Sequence, residues 1–316
     1  MLNSMTSSPE PAVRGPTQAC VLILSYNGGR DTLVALESLQ PQRAYIDGIF
    51  VSDNDSTDDT AALLRPRQEE LGFKLLQPPE NRGFAGGFNH LFDYALTHSR
   101  APYFLVLNND TAAEPGFFEK LLSAAAPDRI VSPMIVWMKD NDTVIQCAGN
   151  FDRAMMKMDN LFAGRSRRDI PPEPQEVEQT DGCCFLIHRC WLEIGVRFDP
   201  KLFIYFEDVE LFLRLRAAGA RFFYVPAAVL RHKEYGSSGG RETPSPFRNY
   251  YFYRNRLELA RRLHPWPERL RVYWRLVRLA LEKRREQRTA SPRAARAILR
   301  GLRDGLLGRL GRRAVP

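Results

Sequence analysis

Short apolar runs alternate with segments of helical periodicity through the first third of the chain. "CVLILSYNG" is a β run ending in a turn, and "DTLVALESLQPQ" repeats its apolar positions at helical spacing until a proline stops it. "IDGIFVSDNDSTDDT" predicts a second strand that leaves the core into an acidic, hydroxyl-rich cluster. "TAALLRPRQEELG" is helical with a break at Pro66, "FKLLQPPENRGFAGG" gives a third strand and a glycine-rich loop, "FNHLFDYALTHS" a helix and "YFLVLNND" a fourth strand. Strands alternating with helices predict an α/β fold, a mainly parallel sheet with helices on both faces. Ligands of such sheets bind beyond the carboxyl ends of the strands, where every polar cluster named so far stands.

The second half is more mixed. "RIVSPMIVW" and "CCFLIH" read as strands, "DVELFLRLRAAG" as a helix closed by Gly219, and "ARFFYVPAAVLRH" as a strand pair broken at Pro226. From about Pro265 the pattern is helical and basic. The polar, proline-rich residues 1–17 predict a disordered start, 18–264 one main α/β domain, and 265–316 a basic amphipathic helical extension.

Composition adds three constraints. The net charge of +8 calls for an anionic partner, and the arginines that carry it crowd after Arg254. Five cysteines without a C-x-x-C pair fit a reducing, cytoplasmic setting. "CCFLIHRC" alternates like a core strand and lacks the spacing of zinc ligands. No secretory leader and no run of 18 apolar residues is present, so no membrane-spanning helix is expected.

The strand-end clusters hold the candidate chemistry. In "SDNDSTDD", Asp53 and Asp55 are placed to accept from a ribose hydroxyl or a base N–H, while Ser56, Thr57 and Asp58 suit a helix cap. In "ENRGFAGGFN", Gly83 and its neighbours allow backbone to approach a ligand, as an ordinary turn also would. Asp110 of "LNND" is a candidate ligand for Mg²⁺ or Mn²⁺ on a nucleotide's phosphates, or a cap of the next helix. Glu207, Asp208 and Glu210 crowd a helix start behind the aromatic residues Phe203, Tyr205 and Phe206; an apolar approach raises a carboxyl pKa towards the range of a general base. His232 ends a strand before the Gly/Ser-rich "KEYGSSGGRETPSP", whose Lys233 and Arg241 are available to phosphates.

Taken in order, "LSYNG", "SDNDSTDDT", "NRGFAGGFN", "LNND", "TDGCCFLIHR", "FEDVELFLRLRAAG" and "RH" resemble family 2 glycosyltransferases of GT-A fold, and most nearly their bacterial rhamnosyltransferase-like members. The resemblance spans about Cys20 to Arg262. It implies inverting transfer of a sugar from a nucleotide-sugar donor to a glycan or lipid-linked acceptor hydroxyl in surface polysaccharide synthesis. dTDP-rhamnose is the first choice of donor, with UDP-galactofuranose or another UDP-hexose behind it. By the same resemblance Asp53 recognises the nucleoside, and Ser25, Asn27, Asn81 and Gly83 line the donor site. Asn108, Asn109 and Asp110 occupy the place of the DXD metal motif; Asp110 matches its last acid, and Asn108 replaces its first. His232 matches a position that completes the metal site, and Asp208 matches the catalytic base, with Glu207 as second choice.

In the basic tail, Leu270, Tyr273, Trp274, Val277 and Leu281 recur at helical spacing among arginines, and Ile298, Leu302, Leu306 and Leu310 repeat the pattern. Such stripes fit an anionic membrane face, the last helix foremost, and they equally fit packing on the catalytic domain or on a second subunit of a homo-oligomer. A peripheral position on the inner leaflet follows from the first alternative. Two rival functions are a nucleic-acid-binding protein, which leaves the acidic strand ends unexplained, and a nucleotidyltransferase on a similar sheet. No nucleic-acid partner is expected.

Overall fold

The computed structural model describes residues 18–146, 148–233 and 244–314. The expected disorder of residues 1–17, Arg241 and most of the Gly/Ser-rich loop lie outside the described residues. The first half runs β1 (Ala19–Ser25), α1 (Gly29–Leu39), β2 (Ile46–Asp53), α2 (Thr60–Leu64), α3 (Gln68–Leu71), β3 (Lys74–Leu76), α4 (Gly83–His98), β4 (Tyr103–Asn108), β5 (Thr111–Ala113) and α5 (Phe117–Ser123). The second half runs β6 (Arg129–Trp137), β7 (Val144–Gln146), β8 (Ala148–Asp152), β9 (Lys157–Asn160), β10 (Gln175–Val177), β11 (Gln179–Thr180), β12 (Cys184–His188), α6 (Arg189–Glu193), α7 (Glu207–Ala217), β13 (Arg221–His232), α8 (Pro246–Leu263), α9 (Glu268–Ala290) and α10 (Pro292–Leu306).

The central sheet has the order β10-β13-β6-β12-β4-β1-β2-β3, and β8, β9 and β11 form a small second sheet. The run β3-β2-β1-β4 is parallel, and β12 enters antiparallel between β4 and β6. Strand alternation sorts the core. Cys20, Leu22, Phe104 and Val106 pack on one face under α4 and α7, whereas Val21, Ile23, Leu105 and Leu107 pack on the other with α1 and α5. Strand order reverses between β1 and β4, so their carboxyl ends part and open a crevice.

Two elements differ from the sequence expectation. The pair of strands broken at Pro226 is one strand, β13, whose register on β6 shifts between Val225 and Val229. A proline cannot donate to the ladder, so it sits in the bulge and the strand continues. The last helix does not offer its apolar stripe to a membrane. Ala294, Ala295, Ala297, Ile298 and Leu302 are buried where α10 packs on α8, and only the end of the stripe, at Leu306, is exposed. In α9 the positions divide. Val272, Leu276 and Ala280 pack inward, while Leu270, Trp274 and Leu281 face solvent. Among the described residues no helix is long and apolar enough to cross a membrane.

Candidate active site

A cavity of about 910 Å³ opens at the crevice. Its floor is the strand end Asn108–Asn109–Asp110, one wall is Asn54 with Asn81 and Gly83, and the opposite wall is Thr180–Cys183 with Glu207 and Asp208. Gly83 has φ +67°, and a Cβ there would collide with the Phe203 carbonyl, so the loop closes against the approach to α7 only as glycine. Asn54, unremarked in the sequence, ties this wall together. Its amide donates to Gly83 O at 3.1 Å and its carbonyl oxygen accepts from Arg82 N at 3.0 Å.

Several of the predicted donor-site residues brace loops outside the lining of the cavity. Ser25 is fully buried, and its hydroxyl bonds Thr32 at 2.8 Å. Asn27 holds the loop after β2, accepting from Thr57 N at 2.8 Å. Asp53 is buried and accepts from Ser56 N, and Asp55 accepts from Asn81 N. Lys233 bonds Asp31 at 2.8 Å. Leu24 and Tyr26 take the lining place of Ser25 and Asn27.

Register explains how Asp110 meets His232, 122 residues apart. The end of β13 pairs antiparallel with β5, setting His232 opposite Thr111, and Lys233 N donates to Asp110 O at 2.9 Å. His232 Nε2 then lies 3.0 Å from Asp110 Oδ1, while Nδ1 meets the Cys183 thiol at 3.8 Å. With the proton on Nε2, the imidazole donates to the carboxylate and accepts from the thiol.

The pair fits a divalent cation. One carboxylate oxygen and one imidazole nitrogen suit Mn²⁺ or Mg²⁺, and adjacent ligands of an octahedral ion with bonds of about 2.1 Å stand about 3 Å apart. Among the described residues no group of three or more His, Cys, Asp or Glu side chains is placed to hold a metal. The rest of the shell would come from ligand phosphates and water.

On the facing wall, Asp208 opens on the cavity in the first turn of α7. Gly182 N donates to its Oδ2 at 3.2 Å and Val209 N to its Oδ1 at 2.8 Å. A Cβ at Gly182 would sit 2.6 Å from Asp208 Oδ2, so this contact requires glycine. Burial raises the Asp208 carboxyl above its usual range, and the two N–H donors oppose the rise. Glu207 is more enclosed, and its Oε2 has no hydrogen-bond partner among the described residues. Burial, and then repulsion from Asp208, pushes its carboxyl well above the usual range. The two neighbouring acids thus differ: Asp208 is hydrogen-bonded and reachable, Glu207 is held towards the neutral form.

The loop before α7 explains the aromatic run. Phe203, Tyr205 and Phe206 all have positive φ, between +65° and +69°. Each such residue costs about 1–3 kcal/mol, so the surroundings must impose it. Asn255, fully buried on α8, does so: its Nδ2 lies 2.7–2.8 Å from the carbonyls of Leu202, Ile204 and Tyr205. Arg254, equally buried, adds a donor to Leu202 O. The chain reaches Glu207 and Asp208 aimed into the cavity because α8 grips the preceding carbonyls. Sequence reasoning missed this helix's role, for its buried face is polar.

Glu207→Gln is expected to stabilise the protein in a pH-dependent way. A carboxyl whose folded pKa is raised favours folding fully below its unfolded value near 4.5 and loses that contribution as pH rises through the folded value. The variant's melting temperature should therefore match wild type near pH 4 and exceed it increasingly towards neutral pH. Melts across that range check it; a constant difference would contradict the raised pKa.

Comparisons with known proteins agree with this architecture. GalNAc-T7, solved with UDP, GalNAc and Mn²⁺, superposes with TM-score 0.58 at 16% identity, over 78% of this chain and 48% of that one, so the chain spans about half its length. The mannosyltransferase PcManGT of Pyrobaculum calidifontis, solved with GDP-Man and Mn²⁺, superposes with TM-score 0.56 at 15% identity over 97% and 91%. The sheet, its switch-point crevice and these likenesses define a GT-A fold. The sequence model described as Glycosyl transferase family 2 matches residues 20–193, over half of the chain, and the chain belongs to that family. Among curated relatives, the N-acetylglucosaminyl-diphospho-decaprenol L-rhamnosyltransferase of Mycobacterium tuberculosis, in strains CDC 1551 / Oshkosh and H37Rv, is 27% identical over 253 residues, which is 71% of this chain and 78% of the relative.

Proposed function

We propose that the protein transfers L-rhamnose from dTDP-rhamnose to a hydroxyl of a lipid-linked or glycan acceptor, with inversion at the anomeric carbon. The observation that carries this reading is the placing of Asp208, held by the Gly182 N–H, in the same cavity as the Asp110–His232 pair. Asp208 accepts the proton of the acceptor hydroxyl as its oxygen attacks the anomeric carbon; the bond to the diphosphate breaks on the far side. Asp110 and His232 would hold Mn²⁺ or Mg²⁺, which would supply positive charge for the leaving diphosphate. Rhamnose is favoured because the mycobacterial relative is named an L-rhamnosyltransferase, and its named acceptor is a diphospho-decaprenol. Calorimetric titration with dTDP, UDP and GDP, each with and without Mn²⁺, tests it. Mn²⁺-dependent binding of dTDP is expected, and failure of all three to bind would overturn the reading.

A peripheral membrane position belongs to the same proposal, moved from α10 to α9. Leu270, Trp274 and Leu281 form an exposed apolar stripe on α9, with Trp266 exposed just before the helix, Arg271 and Arg278 exposed beside the stripe and Arg278 over the Trp274 ring at 5.3 Å. Aromatic and basic groups on one face suit anionic headgroups. Changing Trp266 and Trp274 together to Ser should cut sedimentation with anionic liposomes at least about tenfold. Unchanged sedimentation, or loss of a dimer instead, would contradict it.

A further inference from the structure

The rim of the cavity includes chain far from any strand end. Residues beyond α10 return to the cleft and are strapped there by backbone bonds. Gly311 N donates to Lys201 O at 2.7 Å, Arg313 N donates to the Tyr251 hydroxyl at 2.9 Å, and that hydroxyl donates to Arg313 O at 3.2 Å. Arg254 anchors the strap from the core: fully buried, it donates to Gly311 O at 2.6 Å through Nη1 while Nη2 holds Leu202 O. The same arginine thus fixes both the strap and the loop that aims Asp208.

The strap sets Arg312 and Arg313 in the lining of the cavity, and both side chains are exposed. Arg312 Nη1 bonds Asn81 O at 3.2 Å, on the wall opposite Asp208. Neither guanidinium forms a salt bridge with a carboxylate among the described residues. Two adjacent cations repel each other, and an anion seated between them relieves that repulsion. Planar guanidinium donors match phosphate oxygens two at a time. Among the described residues the cavity lining carries four acids, Asp110, Asp181, Glu207 and Asp208, none of them on the strap, and Arg312 and Arg313 supply positive charge on the rim.

We propose that Arg312 and Arg313 form a clamp for a diphosphate in the cleft, an inference that rests on the glycosyltransferase reading above. The diphosphate has two possible sources: the nucleoside diphosphate of the donor, or the prenyl-linked diphosphate of a lipid acceptor. The test is calorimetry with Mn²⁺ on the full chain, comparing wild type, Arg312→Ala/Arg313→Ala and Arg312→Lys/Arg313→Lys, with dTDP, UDP, thymidine and geranyl diphosphate as probes. Both variants alter exposed side chains and leave the strap's backbone bonds intact, and equal melting temperatures check that.

A donor clamp predicts at least a tenfold loss of dTDP or UDP affinity in the alanine variant, unchanged thymidine binding, and partial recovery with lysine. An acceptor clamp predicts that loss for geranyl diphosphate alone. If wild type binds these diphosphates and the alanine variant binds them equally well, the clamp is overturned and the functional reading stands. If wild type binds none of them, both fall.

Discussion

Asp208→Asn is expected to lower turnover by about 10²–10⁴-fold while leaving nucleotide affinity close to wild type. The amide keeps the shape of the carboxylate, and its oxygen still accepts from Gly182 N or Val209 N, so α7 and the cavity wall stay in place. It cannot take a proton from an attacking hydroxyl. Steady-state turnover beside nucleotide titration separates the two effects. Turnover near wild type would move the proton-accepting role to Glu207. The structure argues against that role, because Glu207 is buried, and burial and then repulsion from Asp208 push its carboxyl well above the usual range.

Asn255→Ala is expected to cost about 2–4 kcal/mol of stability and to lower turnover at least tenfold. Alanine strips donors from the carbonyls of Ile204 and Tyr205, and removes the oxygen that accepts from buried Arg254 Nε at 2.8 Å. Three residues with positive φ then lose the contact that imposes their conformation, and the backbone before Glu207 relaxes. The predicted signature is reduced kcat with nucleotide affinity less affected, since the side of the cleft proposed for the nucleotide is built from β1, β2 and β4. Denaturant unfolding and kinetics together check it. Wild-type turnover in a folded variant would show that the loop holds its shape unaided.

How much of this was legible in the sequence differs by part. The parallel half was legible because each strand is a short apolar run closed by turn residues and each helix repeats at its own period. The strand-end clusters were legible as a set. What the sequence did not separate was their division of labour: Ser25, Asn27, Asp53 and Asp55 spend their polar groups on neighbouring loops, whereas Asn54, Asn81, Asn108 and Asp110 line the cavity. That division is set by which loops meet in space, and residue types alone do not encode it. Helix α8 was obscured because its buried face carries Arg254, Asn255, Arg256 and Glu258, so period and polarity disagree. The strap at Arg312 and Arg313 left no local signal, since nothing near it in sequence belongs to the site.

Glycosyl transfer itself is tested most directly by incubating the enzyme with dTDP-L-rhamnose and Mn²⁺, with and without a prenyl-diphosphate-linked N-acetylglucosamine acceptor. Released nucleotide and the anomeric configuration of the product are then measured. The account predicts release of dTDP only when acceptor is present, and a glycosidic bond inverted relative to the donor. Release of pyrophosphate, or a product that retains the donor's configuration, would contradict it.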